Sequence, residues 1–151
     1  MDEKVDLRDV SVLVLDDIPA MRRLLGEVLR GLGCGRVFEA SNADAAMQLM
    51  LTTKVDVVLS DVQLGAENGL AFVREVRSAS CRDMAATPII MVSAHSTRKC
   101  VEAATQAGAT YFLAKPISIR GIAEQLARVV SSIQTRAPEP EVTETDDVFL
   151  L

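Results

Sequence analysis

The stretch VSVLVLDDIPA, residues 10–20, decides the fold. From Val10 to Leu15 it is almost continuously aliphatic, too short for a core helix and without the alternation of a strand that faces water on one side. Such a run reads as a strand buried on both faces. It ends in two carboxylates, Asp16 and Asp17, and directly behind them the period turns helical. Met21, Leu24, Leu25, Val28, Leu29 and Leu32 fall on one face.

The same pattern recurs outward along the chain. Val55–Ser60, Pro88–Ser93 and Thr110–Ala114 are further short aliphatic runs, and Arg36–Ala40 is a weaker one that follows the glycines Gly31, Gly33 and Gly35. Helical spacing separates them. Asn42–Leu51 opens on a Ser41/Asn42 cap signal, and Asn68–Ser80 carries Leu70, Val73 and Val76 inward. Ser96–Ala107 is alanine-rich with a thin apolar stripe and reads as a loosely packed helix. Ile119, Ile122, Leu126, Val129, Val130 and Ile133 mark a firmer last one. The alternation is (βα)5, which predicts an α/β protein with a doubly wound parallel sheet. The flavodoxin-like strand order 2-1-3-4-5 puts its site beyond the carboxyl ends of the strands, at the switch between strands 1 and 3.

A chain of 151 residues suits one domain, taken here as residues 1–135. From Ala137-Pro138-Glu139-Pro140 the apolar period is gone, so residues 136–151 are expected to form a flexible acidic tail. Its last residues, Val148-Phe149-Leu150-Leu151, read as a solvated terminus, with a short docking motif as the alternative. The tail holds five acids against Arg136, which accounts for most of the net charge of -5. The remainder is near neutral and lacks the basic excess that phosphate-backbone contacts need, so no nucleic acid partner is expected. Cys34, Cys81 and Cys100 have neither disulfide nor zinc spacing. With no apolar leader and no run long enough to span a bilayer, the expectation is a cytoplasmic protein without a membrane partner.

In this topology Asp16, Asp17, Asp61, Ser93 and Lys115, all at strand carboxyl ends, converge. Singly each is better read as a cap, a turn residue or a solvated side chain. Together they differ, because three carboxylates crowded together repel and persist most easily around a cation. Mg²⁺ suits an oxygen-only set and commonly joins carboxylates to a phosphate oxygen. A neighbouring lysine and a serine hydroxyl supply a charge and a hydrogen-bond donor for a phosphoryl group.

The segments VLVLDD, VVLSD followed by NG, IIMVSA and GATYFLAKP, in this order and spacing, resemble the receiver domains of two-component response regulators. The resemblance runs from about Val10 to Ile133. It implies that Asp61 is the phosphoacceptor, that Asp16 and Asp17 hold Mg²⁺ together with Asp61 and the main-chain oxygen of Gln63, and that Ser93 and Lys115 bind the phosphoryl group. It implies a cis Lys115–Pro116 bond, and it makes Ser93 and Phe112 the switch, with Tyr111 on the opposite strand face. Gly65 stands where the family usually has proline, which suggests a loosened loop, and His95 holds a position that tunes dephosphorylation.

By the same resemblance the partners are a histidine kinase or phosphotransfer protein and a downstream target protein. Phosphorylation-dependent homodimers would form through the face of the last two long helices. No DNA-binding or catalytic domain is expected after residue 135, so a stand-alone, non-enzymatic switch is the leading reading. A phosphatase resembling the haloacid dehalogenase superfamily would need a second Asp where Gln63 stands. A nucleotide-binding loop would need glycines where Ile18-Pro19-Ala20 stands. The remaining alternative is a receiver-fold binding module that works without phosphorylation.

Overall fold

The computed structural model describes residues 6–136, with side chains described through Ile133. Its elements are β1 (Ser11–Leu15), α1 (Pro19–Gly31), β2 (Arg36–Ala40), α2 (Ala43–Thr52), β3 (Val57–Asp61), β4 (Gln63–Leu64), β5 (Glu67–Asn68), α3 (Gly69–Arg77), α4 (Arg82–Ala85), β6 (Ile89–Ser93), α5 (Arg98–Ala107), β7 (Tyr111–Ala114) and α6 (Ile119–Arg136). The five long strands form one parallel sheet in the order β2-β1-β3-β6-β7. Counting long strands alone, this is the expected 2-1-3-4-5.

Strand alternation splits the core in two. Leu13, Leu15, Val58, Ile89 and Met91 face α2, α3, α4 and α5, where they meet Ala46, Met50, Phe72, Val76, Met84 and Ala104. Val12, Val14, Val57, Leu59, Ile90 and Val92 face α1 and α6, against Leu25, Leu29, Ile122, Leu126 and Val129. β1, β3 and β6 are buried throughout, as continuous aliphatic runs in a covered parallel sheet should be. β7 departs from that expectation. It is an edge strand, its side chains half-buried to exposed, because no further strand covers its outer side.

Helix starts follow local chemistry. Pro19 opens α1, where its missing N–H costs nothing, and Asn42, Asn68 and Thr97 cap α2, α3 and α5 by accepting from Ala45, Leu70 and Cys100. The third long helix is shorter than its apolar stripe suggested, ending at Arg77, and the connection behind it winds into the extra turn α4. α5 is held by small buried residues, Ala104 and Ala107. The last helix continues to Arg136, and the acidic tail proposed from sequence otherwise lies outside the described residues.

Candidate functional site

The strand register carries the acidic residues to one place. Leu15 pairs with Ser60, so Asp16 follows beside Asp61; Asp61 pairs with Val92, just before Ser93; and Ser93 pairs with Ala114, just before Lys115. The turns fix the rest. Lys115 N–H donates to the Ser93 carbonyl at 2.8 Å, and the Lys115–Pro116 peptide is cis, as expected.

These ends surround a cleft of about 240 Å³ lined by Asp17, Asp61, Gln63, Ser93, His95 and Lys115, with Ile18, Gly65 and Ala94. Asp61 is the most constrained. Lys115 Nζ donates to its Oδ2 at 2.9 Å and the Gln63 N–H to its Oδ1 at 3.0 Å. Lys115 is 22% exposed and Asp61 9%, so little water screens this ion pair. Ser93 Oγ accepts the His95 N–H at 2.9 Å, which leaves the hydroxyl proton free to donate.

Asp16 lies behind the cleft wall, only 2% exposed, with Oδ1 turned back to accept from the Ile18 N–H at 2.9 Å. Burial pushes its carboxyl pKa up, opposed by the Ile18 hydrogen bond and reinforced by the nearby charges of Asp61 and Asp17, while Lys115 pulls it down. Among the described residues no group of three or more His, Cys, Asp or Glu side chains is gathered closely enough to hold a metal ion unaided. Asp16 and Asp61 each spend a carboxylate oxygen on a local N–H group, and Asp61 spends its other oxygen on Lys115. The donors at the cleft are oxygens, the repulsion at Asp16 favours a nearby cation, and Mg²⁺ ordinarily completes its shell with water; the site fits that ion.

Two glycines shape the cleft. Gly65 adopts a φ of +63°, at the turn of the short antiparallel hairpin β4–β5. Proline, fixed near -65°, cannot take that conformation, so Gly65 builds a tight turn where a loosened loop was expected. A Cβ on Gly69 would run into the main-chain oxygens of Asp61 and Val62, so the glycine lets α3 start directly against the end of β3.

Phe112 is half-buried against the cluster under α2, α3 and α5, and Tyr111 packs on the opposite cluster, 5.8 Å from the Arg128 guanidinium. Sequence reading missed Arg22, whose Nη1 donates to the Asp16 carbonyl at 2.8 Å, and Glu67, which accepts the Ala43 N–H at 3.3 Å. An arginine one turn into the helix was the available signal for the first; the second had none. A larger groove, about 580 Å³, opens at the other end of the sheet between Met50, Met84 and Ile133. Its Asp56 is committed to capping the Ser11 N–H at 2.8 Å.

Among the described residues no helix is long and apolar enough to cross a membrane. The KDP operon transcriptional regulatory protein KdpE of Escherichia coli is 36% identical over 140 residues, spanning 90% of this chain and 58% of the relative. The sensory/regulatory protein RpfC of Xanthomonas campestris is 31% identical over 137 residues, spanning 90% of this chain and 19% of the relative. The chain therefore spans less than two thirds of each of these relatives' own length. Among solved structures, the chemotaxis protein CheY4 of Vibrio cholerae superposes with a TM-score of 0.74 at 28% identity, over 80% of this chain and 98% of that one. Residues 12–127 match the family described as response regulator receiver domain, and the chain belongs to that family of two-component signalling domains.

Proposed function

We propose that this chain is a phosphorylation switch in which the Asp61 carboxylate accepts a phosphoryl group from the phosphohistidine of a histidine kinase or phosphotransfer protein, and which signals through contacts with a downstream target protein. One observation carries the reading: a carboxylate at the mouth of a cleft, fixed by Lys115 at 2.9 Å on one oxygen and by the Gln63 N–H at 3.0 Å on the other. An Asp61 oxygen attacks phosphorus, the bond from phosphorus to the donor breaks, and its electron pair leaves with the donor. Little covalent machinery is needed, because such a transfer depends on positioning and on charge stabilisation. Lys115 would shift from the carboxylate to a phosphoryl oxygen, and the Ser93 hydroxyl, bent inward, would donate to another.

Asp16, Asp17, Asp61 and the main-chain oxygen of Gln63 would hold Mg²⁺, which when bound neutralises charge on the phosphoryl oxygens. The acyl phosphate would carry about -1.5 to -2 charge where the free carboxylate carried -1, so roughly one further negative charge enters a cleft already rich in acids. The response would run through Ser93 along β6 to Phe112 on β7, changing the surface of α5, β7 and α6, where a target or a second copy could bind. Water would then hydrolyse the acyl phosphate and reset the switch, with Gln63 and His95 at the edge of its path. The cytoplasm, where kinases draw on ATP, would be the place of work.

Incubation with acetyl phosphate and Mg²⁺ should add the mass of one phosphoryl group to the wild type and none to Asp61→Ala. If the wild type takes none from this donor or from a phosphorylated kinase, the chain is a binding module that works without phosphorylation.

A further inference from the structure

Arg22 stands outside the cleft yet is tied to it. Its Nη1 donates to the Asp16 main-chain oxygen at 2.8 Å, and its Nε faces Glu39 Oε1 at 3.4 Å. The two side chains are 19% and 30% exposed, so their attraction is screened less than that of a surface pair. Glu39 lies on β2 opposite Val14 of β1, and the next carbonyl, of Ala40, accepts the Asp16 N–H at 3.2 Å. Asp16 is therefore held through both its main-chain groups, the N–H by β2 and the carbonyl by a guanidinium that Glu39 orients.

Gly26 gives independent support. Glycine is a poor residue in a helix interior, yet it sits in the middle of α1. A Cβ there would come 3.1 Å from Glu39 Oε2, so the bare backbone leaves room for the carboxylate against the helix. That same oxygen lies 3.8 Å from Arg30 Nη2, which steadies Glu39 further.

We propose that Arg22 is a positioning residue for the acidic pair and that Glu39 acts through it. The couple holds Asp16, Asp17 and Ile18 in the conformation that receives a divalent cation. This rests on the function proposed above and deepens it. The charges of Asp16, Asp17 and Asp61 tend to push this loop apart when no cation is present, and the anchor on the Asp16 carbonyl resists them. Without it, a cation would have to gather the loop as it binds.

The test uses the full chain and Mg²⁺ alone, followed by amide NMR shifts, with hydrogen exchange of the Ile18 amide read in EDTA. Arg22→Ala should weaken Mg²⁺ binding about tenfold, the usual cost of losing a partner behind a ligand. It should also speed Ile18 exchange in the metal-free protein. Glu39→Gln should weaken binding less, and not at all once Arg22 is gone. Arg22→Lys, which lacks the fork needed to reach both partners, should recover part of the loss. If Arg22→Ala and Glu39→Gln lower the melting temperature while the Mg²⁺ titration and Ile18 exchange stay at wild-type values, the couple is structural only and the proposal is overturned. If the wild type itself shows no Mg²⁺ shifts, the metal reading above falls, and this inference falls with it.

Discussion

Lys115 Nζ and Asp61 Oδ2 stand 2.9 Å apart although the two residues are 54 positions apart in the chain. The contact exists because β3 and β7 lie on either side of β6 and end at nearly the same level, with Lys115 directly behind β7. Without the ammonium, Asp61 would face Asp16 and Asp17 with no fixed cation near it. Lys115→Ala should therefore fold but slow phosphorylation by acetyl phosphate about a hundredfold, in the range of a lost electrostatic donor. Lys115→Arg should not restore the rate, since a planar guanidinium cannot replace a compact ammonium in a cleft of this size. Single-turnover rates with circular dichroism as a fold control check both.

A cation that binds only the folded chain must stabilise it. At ten times its dissociation constant Mg²⁺ should add about 1.4 kcal/mol. Asp17→Ala removes a carboxylate that faces the cleft and should abolish the effect, leaving the melting temperature in EDTA close to that of the wild type. Calorimetric melts with and without Mg²⁺ decide it; an unchanged wild-type midpoint at high Mg²⁺ would count against the proposed metal ligands.

Arg77 supports the opposite end of the sheet. Its guanidinium donates to the carbonyls of Thr87 (2.7 Å), Ala85 (3.0 Å) and Gly108 (2.9 Å) and to Thr110 Oγ1 (3.3 Å), joining α3 to α4 and to the starts of β6 and β7. Burial pushes its pKa down, and none of these acceptors carries a charge. Arg77→Met keeps the aliphatic packing but strands the acceptors, so urea unfolding should show a loss of about 2 to 4 kcal/mol. The folded fraction should still accept phosphate at the wild-type rate, because the cleft lies at the other ends of the strands.

What the chain disclosed in advance follows from range. The aliphatic runs, the Asn42 and Asn68 caps and the opposite faces of Tyr111 and Phe112 depend on neighbours in sequence, and each was readable. The convergence of Asp17, Asp61, Ser93 and Lys115 was readable too, since a parallel sheet sends every strand's carboxyl end to one edge. Arg77 and Glu67 were not, because each works by reaching a carbonyl or N–H in another element that only the folded chain brings near, whereas Arg22 bonds a carbonyl six residues back and left a signal in its place on the helix. Nor did anything local announce α4, or that Asp16 would spend an oxygen on Ile18. Gly69 looked like half of a motif; its reason, the closeness of the Asp61 carbonyl, is tertiary.

The cysteines give a last test, independent of phosphate. Cys81 is exposed, Cys100 half-buried and Cys34 buried, and all three are free thiols. Burial against the α1–α6 side of the core pushes the Cys34 thiol from 9.0 up to about 11. At pH 8 a disulfide reagent should therefore label exposed Cys81 first and Cys100 next, with Cys34 at least about a hundredfold slower than the same thiol in the unfolded chain, since only the thiolate attacks. The same shift carries a sign for stability. Cys34's preference for the protonated form is fully present below pH 9 and is lost as pH rises toward 11, because the unfolded chain ionises this thiol first. Its loss should remove at most about 1.4 kcal/mol per pH unit over that window. Cys34→Ala should flatten this part of the curve, and urea midpoints measured from pH 8 to 11 on both proteins would expose a wrong assignment of the buried thiol.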